Sequence, residues 1–267
     1  MAPDETPEGK EHISSGAVPL VPVSAEDFAR GKRRIVLACV AGALLVILLA
    51  VWMYRRSVDP LEAQQAVDAG ERFLKATRYT EAILAFDRAI SLKRDLPDAY
   101  LMRGRADVAL NQLEPAIQDF TRVIQLRPNS PDAFMDRAGA RLAQKDYQAV
   151  IADCGEVIGR DPQLAYAYTL RGMAFRETGS LSKSLEDLTR AVELSPGVDN
   201  YFQRGATYQS RGEHRLAIAD MDQVISLLPA SPMGYLARAK SREALGDLAG
   251  ASKDREVGRL LAGRPNH

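Results

Sequence analysis

The chain has 267 residues, 46% of them apolar, and its 35 basic and 35 acidic side chains give a formal net charge of zero. A neutral balance lacks the basic face that a nucleic-acid binder carries. The two cysteines, Cys39 and Cys154, read as small apolar residues, so neither a disulfide framework nor a metal site is indicated.

Residues 1–34 begin MAPDETPEGKEHISSGAVPLVPVS, with Pro3, Pro7, Pro19 and Pro22 and no helical period. Such a segment buries too little apolar surface to offset its ordering entropy, and it is predicted to be a disordered tail.

Residues 35–54, IVLACVAGALLVILLAVWMY, carry no charge. At about 1.5 Å per residue they span roughly the 30 Å hydrocarbon core of a bilayer. Lys32, Arg33 and Arg34 precede the run and Arg55 and Arg56 follow it, which argues against a buried helix of a soluble core. A cleaved signal peptide wants a shorter apolar run and a small-residue cleavage site, whereas this one ends in WMYRRS. A lipoprotein signal would place the apolar stretch before Cys39, and here it follows. The run is therefore predicted to be a single transmembrane helix. Arg30, Lys32, Arg33 and Arg34 outnumber Arg55 and Arg56, so the positive-inside bias puts the N-terminus in the cytoplasm and the rest outside it, periplasmic in a bacterium. A cytoplasmic C-terminal domain is the alternative. Residues 55–62 are expected to form a short linker, with Pro60 near the start of the next helix.

From residue 63 onward a pattern repeats. Starts at Ala63, Pro97, Pro131, Ala165, Val198 and Pro232 define units 63–96, 97–130, 131–164, 165–197, 198–231 and 232–265, spaced by 34 residues except for one step of 33. Position 8 is always small: Gly70, Gly104, Ala138, Gly172, Gly205 and Ala239. Position 20 reads Ala82, Ala116, Val150, Ser184, Ala217 and Ala251, and position 32 is proline in units two to five. Each unit reads as two amphipathic helices joined by a turn, with small residues where the two cross and proline ending the second.

This 34-residue helix–turn–helix period resembles the tetratricopeptide repeat family over about three-quarters of the chain. The resemblance implies an all-α superhelix of about six helix–turn–helix repeats, here preceded by the transmembrane helix. It also implies a protein-binding scaffold with a concave groove lined by the first helix of each repeat.

Two sets of residues stand out. Position 7 is Arg103, Arg137, Arg171, Arg204 and Arg238 in units two to six, and position 23 is Asp119, Asp153, Asp187, Asp220 and Asp254. The first unit has Ala69 and Ala85 instead, and this joint loss predicts five structural ion pairs, because the planar guanidinium suits a partly buried carboxylate. The second set is the groove. The family's inner-face positions fall here on Asp98, Leu101, Met102, Asp132, Met135, Asp136, Met173, Phe202, Met233 and Leu236, an apolar lining with an acidic edge. About half of the apolar members are expected to pack between hairpins, Met102 and Leu170 first among them. The basic clamp that family adaptors use for C-terminal carboxylates is absent, since its positions carry Asp98, Leu101, Met102 and Arg105 in the second unit and Asp132, Met135, Asp136 and Gly139 in the third.

The only histidines are His12, His214 and His267, and no phosphate loop, metal spacing or nucleophile motif is present. The reading is a membrane-anchored, non-catalytic scaffold, with no cofactor and no nucleic acid, that organises a membrane or envelope complex. Its partners would be proteins presenting apolar segments, with basic character favoured by the acidic edge. A self-associating structural membrane protein is the first alternative, and an enzyme with an unrecognised site the second.

Overall fold

The structure is a computed structural model that describes residues 25–263, without the side chains of 25–29, 31, 35, 36 and 54–59. The tail expected over 1–34 therefore lies mostly outside the described residues. The described chain is helical with no strand, in twelve helices, and it divides into two compact units at Ser57/Val58.

The first unit holds the N-terminal part of α1 (Ala25–Lys75). Within it Lys32–Met53 is long and apolar enough to cross a membrane, with a mean hydropathy of 3.0 and none of the segment buried. Leu37, Leu44, Leu48 and Trp52 are all more than half exposed. Residues 55–62, expected as a linker, are helical, and Pro60 lies inside α1 rather than at a helix start. A proline there removes one ladder hydrogen bond but leaves helical segments on both sides, which is why sequence reading placed a break.

The second unit is the repeat array. The C-terminal part of α1 pairs with α2 (Tyr79–Leu92), and five further hairpins follow. These are α3 (Pro97–Ala109) with α4 (Leu113–Leu126), α5 (Pro131–Ala143) with α6 (Tyr147–Arg160), α7 (Ala165–Glu177) with α8 (Leu181–Leu194), α9 (Val198–Arg211) with α10 (His214–Leu227), and α11 (Pro232–Ala244) with α12 (Leu248–Ala262). Each helix packs against its chain neighbours and, more lightly, first helices pack against first helices of the next repeat. That is the one-dimensional contact pattern of a solenoid.

Four positions, 8, 15, 20 and 24, build the hairpins. Position 8 of the first helix meets position 24 of the second: a Cβ on Gly104 would sit 2.7 Å from the Phe120 ring, and one on Gly172 would sit 2.7 Å from Leu188. In the third repeat, where position 8 is Ala138, position 24 shrinks to Cys154, and both are fully buried. Position 20 is buried in all six repeats, from Ala82 at 0% to Ala251 at 1% exposed. Position 15 turns the chain in the left-handed region throughout: Thr77, Asn111 and Lys145 at φ of 56°, 59° and 63°, then Gly179, Gly212 and Gly246. The last hairpin ends the core differently. Arg255 at position 24 turns outward to Glu243, and Gly258 lets Leu236 lie against α12.

Candidate functional site: a concave groove backed by a guanidinium ladder

The ladder is the rigid part. In each of repeats two to six the position-7 arginine donates through Nε and Nη2 to both oxygens of the position-23 aspartate. The distances are 2.8 and 2.6 Å for Arg103–Asp119, 3.0 and 2.7 Å for Arg137–Asp153, and 2.8 Å twice for Arg171–Asp187. Arg204–Asp220 and Arg238–Asp254 repeat the geometry. The aspartates are 4–7% exposed, and these bidentate bonds satisfy both of their oxygens. Hydrogen bonding to Asp187 raises Arg171 above the usual guanidinium range, against the opposing effect of burial.

Two parts of the ladder were not legible beforehand. The position-4 aromatic of the same helix stacks on each guanidinium, from Tyr100 at 5.5 Å from Arg103 to Tyr168 at 5.8 Å from Arg171. The third nitrogen reaches back one repeat, to position 25: Arg103 Nη1 donates to Asp87, Arg137 Nη1 to Thr121 and Arg238 Nη1 to Asp222. In the first repeat Ala66, Ala69 and Ala85 occupy the aromatic, arginine and aspartate positions, so the whole module is missing at once.

The groove residues divide. Leu101 and Met135, expected to line the groove, are only 8% and 7% exposed and belong to core clusters. In these two repeats position 5 packs toward the next hairpin, and Met135 also borders the cavity described below. Met102 and Met173 are half-buried against the clusters built around Phe86 and Cys154, and Phe202 and Met233 are half-buried as well. Leu236, 39% exposed, leans on α12. Leu170 is buried, at 4%.

The acidic edge is smaller than the sequence suggests. Asp98 accepts two hydrogen bonds from Arg127, at 2.7 and 2.9 Å, and Asp136 accepts one from Arg105 at 2.6 Å. Burial raises the Asp136 carboxyl while Arg105 opposes that shift. Asp132 is exposed and has no ion-pair partner among the described residues, so one free carboxylate remains on this edge.

What these residues bring together is a cavity of ≈ 210 Å³ between α3, α5 and α7. It is lined by Arg105, Val108, Phe120, Met135, Asp136, Gly139, Ala140 and Tyr166. Its floor is apolar, the Arg105–Asp136 pair stands on the rim, and the open side at Gly139 has no neighbour within 4 Å of a Cβ built there. Tyr166, 54% exposed, is the large side chain at the mouth; burial and the Asp136 charge raise its phenol. Sequence reading passed over Tyr166, although it occupies an inner-face position. A second cleft of ≈ 600 Å³ lies against α7 and α8, and its charged lining is largely committed to Arg171–Asp187 and Arg190–Glu193. Cys154 is buried, and its thiol is pushed up to about 12, which removes it as a nucleophile. No cluster of metal-ligating side chains is found among the described residues.

Comparison with known proteins agrees with the geometry. Tetratricopeptide repeat models match residues 98–163 and 165–197. A tetratricopeptide repeat and J domain-containing co-chaperone of Cryptococcus neoformans is 35% identical over 74 residues, which is 27% of this chain and 14% of the co-chaperone. The chain thus spans only a small part of that relative's length. Among solved structures, PilW, described as a widely conserved type IV pilus biogenesis factor, superposes with a TM-score of 0.68 at 15% identity, covering 75% of this chain and 93% of PilW. MamA from Desulfovibrio magneticus gives 0.60 at 24% identity, over 62% of this chain and 94% of MamA. YrrB, described as having an unusual peptide-binding site, gives 0.55 at 16% identity, over 63% and 88%. At these identities the likeness is one of fold. The repeat models match 98–163 and 165–197, and the same hairpin is built six times from α1 to α12, so this chain carries an array of tetratricopeptide-type repeats.

Proposed function

We propose that the chain is a membrane-anchored, non-catalytic scaffold whose concave groove takes a segment of another protein, in the assembly or organisation of a membrane or envelope complex. The observation that carries this reading is the cavity between α3, α5 and α7 with Tyr166 at its mouth. Its volume suits one large apolar side chain of a partner, and the adjacent unpaired Asp132 favours a basic residue beside that anchor. In this reading the apolar run Lys32–Met53 is the anchor, and the excess of basic residues before it favours the repeats lying on the extracytoplasmic side. The descriptions of YrrB as peptide-binding and of PilW as a pilus biogenesis factor are in keeping with such a role.

The test is photo-crosslinking in membranes from a reactive residue at position 166, with position 182 on α8 as control. Adducts to another protein from 166 and not from 182 support the groove. Adducts only between copies of this chain would replace it with the self-association reading.

A further inference from the structure

Position 11 of the first helix faces the ladder aspartate. In the third and sixth repeats it is arginine: Arg141 and Arg242 donate to Asp153 and Asp254 at 2.8 and 2.9 Å. In the fourth and fifth repeats it is aromatic, with Phe175 and Tyr208 lying 5.9 and 6.0 Å from the guanidiniums of Arg171 and Arg204. Either choice reinforces the ladder. The second repeat places Asp107 there, only 4% exposed, with no hydrogen bond to its carboxylate among the described residues.

The charges facing Asp107 can be named helix by helix. Its own helix α3 brings Arg103, α4 brings Asp119, and α2 brings Asp87. Asp119 and Asp87 already accept all three donor nitrogens of Arg103. The next first helix, α5, brings no uncommitted countercharge, because Arg137 and Arg141 are held by Asp153. Three carboxylates therefore share one guanidinium in the only repeat whose position 11 is acidic.

We propose that Asp107 is a proton-operated latch on the α3–α4 hairpin: ionised, it opposes Asp119 and loosens the second repeat; protonated, it no longer opposes the neighbouring carboxylates and the repeat closes. Burial and the Asp119 charge push the Asp107 carboxyl up to about 6 from its ordinary 3.8, with Arg103 acting the other way. A folded-state value above the unfolded one means that the folded hairpin holds the proton more tightly. The stabilisation is complete below the unfolded value and is lost as pH rises through about 6, the reverse of ordinary acid denaturation. Because α3 also carries Leu101, Met102 and Arg105, the latch sets how firmly the N-terminal part of the groove is held, whatever occupies it.

The experiment is hydrogen exchange on the full chain in detergent micelles, corrected for intrinsic exchange rates, across the range from about pH 7.5 to about pH 5. Protection of 97–126 is expected to rise about 10-fold toward the acid end, while 198–227 shows no such gain. Asp107→Asn should give high protection that no longer depends on pH. Asp107→Phe, the residue type at position 11 of the first and fourth repeats, should do the same. An equal pH slope in wild type and Asp107→Asn overturns the proposal. So does a wild-type hairpin that keeps constant protection or loosens toward pH 5, even where neither variant folds.

Discussion

Arg171 and Asp187, sixteen residues apart, meet through two parallel 2.8 Å hydrogen bonds, with the aspartate only 6% exposed. Removing the arginine alone leaves a buried carboxylate unpaired. Arg171→Ala should therefore lower stability by about 1–3 kcal/mol, more than loss of an exposed charge. The double change with Asp187→Ala should recover part of that loss, since the first repeat folds with Ala69 and Ala85 at the same positions. Urea denaturation of the four members of the cycle measures the coupling, and simple additivity would show that the pair does not act as a unit.

The ladder has a gap that can be filled. Arg103 and Arg238 each use Nη1 on an aspartate sixteen residues earlier, but the residue sixteen before Arg171 is Gly155. A Cβ on Gly155 meets nothing within 4 Å, so a side chain fits without displacement. Gly155→Asp should raise stability by about 0.5–1.5 kcal/mol, combining the relief of a mid-helix glycine with a partly exposed ion pair. Gly155→Asn, close to aspartate in shape and helix propensity but uncharged, isolates the first contribution. If aspartate gains nothing over asparagine, the added rung does not form.

Turn strain offers a separate handle. Thr77 adopts φ of 56°, a left-handed conformation that disfavours a β-branched residue, whereas Gly179, Gly212 and Gly246 fill the equivalent turns freely. Thr77→Gly should stabilise the first hairpin by about 1 kcal/mol, and Gly179→Ala should cost about the same. Melting temperatures of the two variants moving in opposite directions is the expected result; a loss in both would mean that the Thr77 hydroxyl contact to Ala76 outweighs the strain.

Met135 and Tyr166 border one cavity but should respond differently to truncation. Met135 is 7% exposed, and Met135→Ala should cost about 2–5 kcal/mol of stability. Tyr166 is 54% exposed, and Tyr166→Ala should change stability by no more than about 0.5 kcal/mol. Its effect should instead fall on capture of a partner segment, weakening it by about 1–3 kcal/mol as loss of an aromatic anchor does. A large drop in melting temperature for Tyr166→Ala would place that ring in the core and move the search to another surface.

The 34-residue period, the six helix hairpins and the small residues at positions 8 and 20 follow from the sequence alone. Each depends on contacts within one hairpin, and a hairpin repeats its own chemistry. Arg171 with Asp187 was legible for the same reason, because the arginine and the aspartate are lost together in the first repeat, where Ala69 and Ala85 stand. Only the tertiary structure decided what crosses between hairpins. Periodicity tells which face of α3 or α5 carries Leu101 and Met135, but not whether the next repeat covers that face, and it does. Nor does it show that Arg105 reaches Asp136, that Asp87 completes the bonding of Arg103, or that Asp107 is sealed in beside Asp119. Those contacts depend on the angle at which successive hairpins stack, and that angle is a property of the packed array rather than of any one repeat.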